Sequence, residues 1–240
     1  AAAAAYRQKK AGADAFLAHE SRMLDGTPFS LGLNIGGTEA VPEWEHADFV
    51  GLFRTEFLYM QSTHFPTEEE QFAAYRTVLQ RGKPVTLRTL DIGGDKTLPY
   101  YALPQEQNPF LGRRALRLCL AEPEIFRTQL RAALRASACG KLRLMFPMVG
   151  GLEDLAQARA ALAQAQAELT AEGVPFDAGM PVGAMIEIPA LALMADELAA
   201  QVDFASIGTN DLCQYLCAAD RMNPEVSRYY QSESPALLRL

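Results

Sequence analysis

The sequence predicts a parallel α/β fold, and three observations carry that reading. Short apolar runs alternate with helical stretches along most of the 240 residues. Charged residues collect where those runs stop, at Arg54, Arg88 and Glu187, and glycine pairs follow two of them, at Gly36-Gly37 and Gly93-Gly94. A sheet wound with helices builds its binding face at the C-terminal ends of its strands, so one pattern speaks for the fold class and for the site together. The pattern alone does not separate a closed (β/α)8 barrel from an open, doubly wound sheet: six strands are legible and a closed barrel has eight.

The elements follow in order. Residues 1–28 read as a lead-in helix and linker, with Phe16 and Leu17 among polar neighbours over 6–23 and Gly26-Thr27-Pro28 ending it. Residues 31–35 form a first strand, and 49–53 a second that finishes on Arg54. Thr67 with Glu70 makes a capping box, and Phe72, Tyr75, Val78 and Leu79 share one face, so 67–80 is a helix. The strand over 84–90 delivers Arg88 and leads into Asp91, the glycine pair, Asp95 and Lys96. After Asn108-Pro109 the chain turns helical, and Pro123 opens a helix to about 138. A fourth strand spans 141–148, and an alanine-rich helix of high propensity reaches about 172. The fifth strand, 182–188, brings Glu187, and a helix to about 200 follows. The sixth, 202–207, ends in Gly208-Thr209-Asn210-Asp211, and 212–240 reads as helical with a break at Asn223-Pro224.

Composition narrows the class of function. With 49% apolar residues the chain can bury the core of one domain. A formal charge of −7 argues against a surface that grips nucleic acid or anionic lipid, both of which need a dense basic face. No stretch approaches the roughly 20 uninterrupted apolar residues of a membrane span, and no charged-then-apolar leader opens the sequence. Partners are expected among small molecules or proteins. The cysteines, Cys119, Cys139, Cys213 and Cys217, lack CxxC spacing; Cys213 and Cys217 at i,i+4 read as small packing residues, and a reducing cytoplasm fits.

The chemistry sits at the strand ends. Arg54, Arg88 and Arg114 can each fork onto a phosphate or carboxylate; taken singly, each pairs as readily with an acid such as Glu56, Asp91 or Asp95. Recurrence at successive strand ends favours an anionic ligand. Glu187 and Asp211 close neighbouring strands and suit Mg²⁺, which one or two carboxylates hold with substrate oxygens and water. Equally, Glu187 balances an arginine and Asn210-Asp211 caps a helix. Arg221 reads as an anion contact or a solvated charge, and His19, His46 and His64, without metal-ligand spacing, as surface residues.

Six collinear motifs, GLFRTEFLYM (51–60), TLRTLDIGGDKTLPY (86–100), NPFLGRRALR (108–117), LMFPMV (144–149), MIEIPA (185–190) and SIGTNDLCQY (206–215), resemble the phosphoenolpyruvate-binding domain of the enzyme I family of the bacterial sugar phosphotransferase system. The resemblance runs from about residue 31 to 240, and the DIGGDK run distinguishes it from the similar dikinase and synthase families. It implies a (β/α)8 TIM-type barrel over 29–240, with about six of its eight strands present and the C-terminal part incomplete. It implies that Arg54 and Arg88 hold the phosphate of phosphoenolpyruvate, that Arg114 and Arg221 assist, that Asn210 touches substrate, and that Glu187 and Asp211 hold Mg²⁺. Further implications are a phosphoryl acceptor histidine on a separate N-terminal domain, a phosphocarrier protein as partner, and a homodimer. Two departures stand out: no histidine has the family's Gly-Gly-x-x-Ser-His setting, and no cysteine has its Gly-Met-Cys-Gly setting, where the family places a proton donor. These departures keep a second expectation open, a catalytically incomplete module that senses phosphoenolpyruvate or dimerises, and a third, a lyase on the same kind of barrel.

Overall fold

The computed structural model describes residues 21–240. Six strands, β1 (Gly32–Ile35), β2 (Phe49–Arg54), β3 (Val85–Arg88), β4 (Leu142–Phe146), β5 (Val182–Ile186) and β6 (Phe204–Ile207), form one sheet in sequential order. Every neighbouring pair is parallel. A doubly wound sheet reverses its strand order at a switch point; this sheet does not, which decides between the two architectures left open by pattern. Residues from β1 (Asn34) and β6 (Ser206) line the same cleft, so the sheet curls toward its own axis as a partial TIM-type barrel.

Strand periodicity explains where the core lies. Val85 and Leu87 of β3, Leu142, Leu144 and Phe146 of β4, and Val182 and Ala184 of β5 join the apolar core beneath the helices. Alternate residues, Arg88, Met145 and Met185 among them, take the other face. All four β3 residues are buried, as expected for a strand covered on both sides. The outer layer includes α1 (Glu56–Met60), α2 (Glu68–Leu79), α3 (Leu116–Ala121), α4 (Pro123–Ser137) and α5 (Leu152–Ala171). The capping box is formed, with Thr67 accepting from the Glu70 N–H and Glu70 accepting from the Thr67 N–H at 2.8 Å.

Two regions depart from the sequence reading, and a third lies mostly outside the described residues. The span after β5 is two short helices, α6 (Pro189–Ala192) and α7 (Ala195–Ala199), because Met194 leaves helical geometry at ψ 29. After β6, α8 (Thr209–Cys217) stops where Ala218 turns left-handed at φ 50; a 3-10 turn (Pro224–Tyr229) capped by Asn223 and a last helix, α9 (Pro235–Arg239), replace the expected run. The lead-in helix falls mostly outside the described residues; at 21–28 the chain makes a bridged turn, Arg22 against Pro28, around Gly26 at φ 86. Of the histidines, His46 and His64 are exposed, as expected, and His19 lies outside the described residues.

Candidate functional site

The sheet delivers its charged residues to one end. Arg54 and Arg88 are the last residues of β2 and β3 and are direct partners across the ladder, so register alone brings both arginines to the same end of the sheet. Glu187 follows β5, and Asp211 lies in the first turn of α8, beyond β6. A cleft of about 320 Å³ is lined by Arg54, Arg88, Arg114, Glu187, Asn210, Asp211 and Arg221. All seven residues singled out from the sequence therefore meet in one place.

Glycine makes two of these approaches possible. A side chain at Gly208 would have its Cβ 2.7 Å from the Glu187 Cβ, so only glycine lets the turn into α8 pass over that carboxylate. Gly93, at φ 109, would meet the Arg114 Cα at 2.9 Å; its left-handed turn folds the segment after β3 back against Arg114.

The arginines differ in how their charge is met. Arg88, 5% exposed, donates to Glu56 at 2.7 Å and lies 3.0 Å from Asp91. Arg114, 1% exposed, bridges two carboxylates: its Nε donates to Asp91 at 2.9 Å and its Nη1 to Asp211 at 2.9 Å. Its guanidinium also donates to the Tyr215 hydroxyl at 3.3 Å, and that hydroxyl donates to the Phe110 carbonyl at 2.6 Å. Arg221 Nη1 stands 3.5 Å from Asp211. Arg54 is different. It packs over the Phe57 ring at 4.5 Å, has no carboxylate partner among the described residues, and its buried Nε has no acceptor. The Nε of Arg88 is likewise buried without an acceptor. Buried N–H groups are nearly always paired; of the four buried arginine Nε groups without an acceptor among the described residues, those of Arg54 and Arg88 belong to residues that line this cleft, and those of Arg81 and Arg113 do not.

The carboxylates divide too. Burial would raise the Asp91 carboxyl, but Arg88, Arg114 and Lys96 outweigh it and hold it far below the usual carboxylate range. Burial, then the nearby charges of Asp91 and Asp211, push Glu187 up to about 7. Among the described residues its one hydrogen bond comes from the Met148 N–H, at 2.6 Å on Oε1, presented by a backbone held at φ 52.

Sequence reasoning named Lys96 in the charged turn after β3 without giving it a role, and missed Tyr215. Lys96 Nζ sits 2.9 Å from Glu56 and 2.8 Å from Asp91. Tyr215 had a signal, since it lies four residues beyond Asp211 on the same helix face. The signal for Lys96 was its place in the charged glycine turn, which does not say which carboxylates it meets. Glu56 and Asp91, considered only as arginine partners, hold the site's cations in position.

The sequence profile of the PEP-utilising enzyme, PEP-binding domain family matches residues 10–240. The chain belongs to this family. Among its curated relatives, the phosphoenolpyruvate-protein phosphotransferase of Geobacillus stearothermophilus is 53% identical over 99% of the chain and 43% of the relative. The protein of that name from Lactococcus lactis subsp. lactis is 53% identical over 98% and 42%. That from Listeria monocytogenes is 55% identical over 90% and 38%. The chain thus spans under half the length of the relatives it matches. Among the described residues no helix is long and apolar enough to cross a membrane.

Proposed function

We propose that this cleft binds phosphoenolpyruvate together with Mg²⁺, and that the chain is the substrate-binding barrel domain, over 29–240 with 1–28 leading in, of a cytoplasmic phosphoenolpyruvate-protein phosphotransferase. In that role the phosphoryl group passes to a histidine on an N-terminal domain and on to a phosphocarrier protein, pyruvate is released, and sugar uptake is served by a homodimeric enzyme. The observation that carries the reading is Arg54: a guanidinium without an acid partner among the described residues, in register with the buried Arg88.

Arg54 and Arg88 would bind the phosphate by forked hydrogen bonds, and their orphaned Nε groups give that anion two donors. Arg114 and Arg221, already turned to Asp211, would stabilise negative charge growing on the enolpyruvate oxygen as the phosphoryl group departs. Asn210 would orient the substrate. Such donors act strongly because they are fixed in place before the charge develops.

The carboxylates suit Mg²⁺. Among the described residues no cluster of three or more His, Cys, Asp or Glu groups is disposed to hold an ion, so Glu187 and Asp211 would contribute two ligands and the substrate and water the rest. Their lone pairs allow it: the three arginine contacts to Asp211 use part of the roughly four acceptor directions of a carboxylate, and Glu187 has Oε2 without a hydrogen bond among the described residues. A buried carboxyl raised by two neighbouring acids also has an electrostatic need for a cation. Bound there, Mg²⁺ would supply positive charge to the substrate oxygens.

Isothermal titration tests this. Phosphoenolpyruvate with Mg²⁺ should give saturable heat, Arg54→Gln should weaken binding by at least about tenfold, and Arg159→Gln, on the outer surface of α5, should leave it unchanged. No heat up to millimolar ligand on the folded chain would refute the assignment.

A further inference from the structure

We propose that Cys213 and Cys217 form a two-thiol site that captures a soft divalent cation of the zinc and cadmium type. Both lie on α8, and a spacing of four stacks two side chains on one helix face. Paired ligands on a helix share one ion at this same spacing. The sulfurs are 3.9 Å apart. Two bonds of about 2.3 Å to a common ion span that distance at an S–ion–S angle of about 116°, between the tetrahedral and trigonal values, so the ion fits without any movement of the backbone.

A disulfide fits the same pair poorly. It needs Cβ atoms about 3.8 Å apart, whereas positions i and i+4 of a helix hold them at about 5–6 Å. Cation capture is therefore the chemistry the geometry favours. Both thiols are free, Cys213 buried and Cys217 half-buried, which gives an ion access from the Cys217 side. On capture two S–H bonds break, two S–ion bonds form and two protons leave to solvent; no electrons are transferred, and water completes the coordination.

The test uses the whole chain carrying Cys139→Ser, which removes the exposed thiol. It is titrated with Cd²⁺ in excess Mg²⁺, and the ultraviolet thiolate-to-cadmium absorption is followed, because carboxylates do not produce it. The band should saturate at one equivalent, and adding Cys217→Ser should weaken binding at least about tenfold. A band unchanged by Cys217→Ser, or none up to millimolar Cd²⁺, overturns the proposal. Alkylation of the unaltered chain by iodoacetamide, read by mass spectrometry, needs no variant at all. Cd²⁺ should slow modification of Cys217 and spare Cys139; equal rates at Cys217 with and without Cd²⁺ overturn it as well.

Discussion

Asp91, 1% exposed, receives Arg114, Lys96 and Arg88 within 3.0 Å, so removing its charge leaves two buried guanidinium groups and the half-buried Lys96 to share Glu56 and Asp211. Asp91→Asn is expected to cost about 3–5 kcal/mol, read as a lower urea midpoint at neutral pH. Because its folded pKa lies below the unfolded value of 3.8, the stability it contributes is present above that pH and is lost on acidification. Glu187 has the opposite sign. Between 4.5 and about 7 only the folded chain keeps this proton, so stability falls as pH rises through that window, and above it the buried charge costs about 3 kcal/mol. Metal-free Glu187→Gln, whose amide oxygen can still accept from Met148, should therefore be more stable than the parent at pH 8 and equal to it near pH 4.5, while losing Mg²⁺-dependent binding. Urea midpoints at the two pH values check this. Arg54, Arg88, Glu187 and Asp211 were legible as residues because each closes an apolar run or a strand-end turn. Which charge met which was not, since Arg114 reaches Asp211 across 97 positions and no local pattern encodes such a contact.

At the scale of elements, local chemistry was readable where the signal is local. Thr67 with Glu70 foretold the start of α2, and Pro123 that of α4. Gln129 shows the limit. On α4 it reads as one more polar residue, yet it is fully buried: its Oε1 accepts from the Leu90 N–H at 2.7 Å, and its Nε2 donates to Thr55 and Tyr75 at 3.1 and 3.2 Å. Thr55 in turn donates to the Arg88 carbonyl at 2.8 Å. One amide thus ties a helix to the residues after β2 and β3 that present both arginines. Gln129→Leu keeps approximate volume but leaves the Leu90 N–H buried and unpaired, at about 1–3 kcal/mol. Thermal unfolding should show that loss, and phosphoenolpyruvate affinity should fall with it because the β2 and β3 ends lose their common anchor. Thr67→Ala, a cap removed far from the cleft, should cost about 1 kcal/mol and leave affinity unchanged. The contrast between the two separates stability from positioning.

Across the whole molecule, burial is uneven in a way that bears on binding. β3 is buried throughout and β4 nearly so, whereas β6 is only partly buried, with Ile207 65% exposed. Opening free energies follow such gradients, so amide exchange should be slowest in β3 and β4 and faster in β1 and β6. The cleft joins the two regimes, because Arg54 and Arg88 stand on β2 and β3 while Asn210 and Asp211 stand beyond β6. A ligand held by both sides makes opening of the weaker side cost its binding energy, about 2.7 kcal/mol at a ligand concentration one hundred times the dissociation constant. Exchange from 204 to 217 should therefore slow by up to about a hundredfold when phosphoenolpyruvate and Mg²⁺ are added, with β4 nearly unaffected because its amides already open only with the whole domain. Protection confined to β2 and β3 would mean that the ligand rests on the arginines alone, and that Asn210 and Asp211 take no part in holding it.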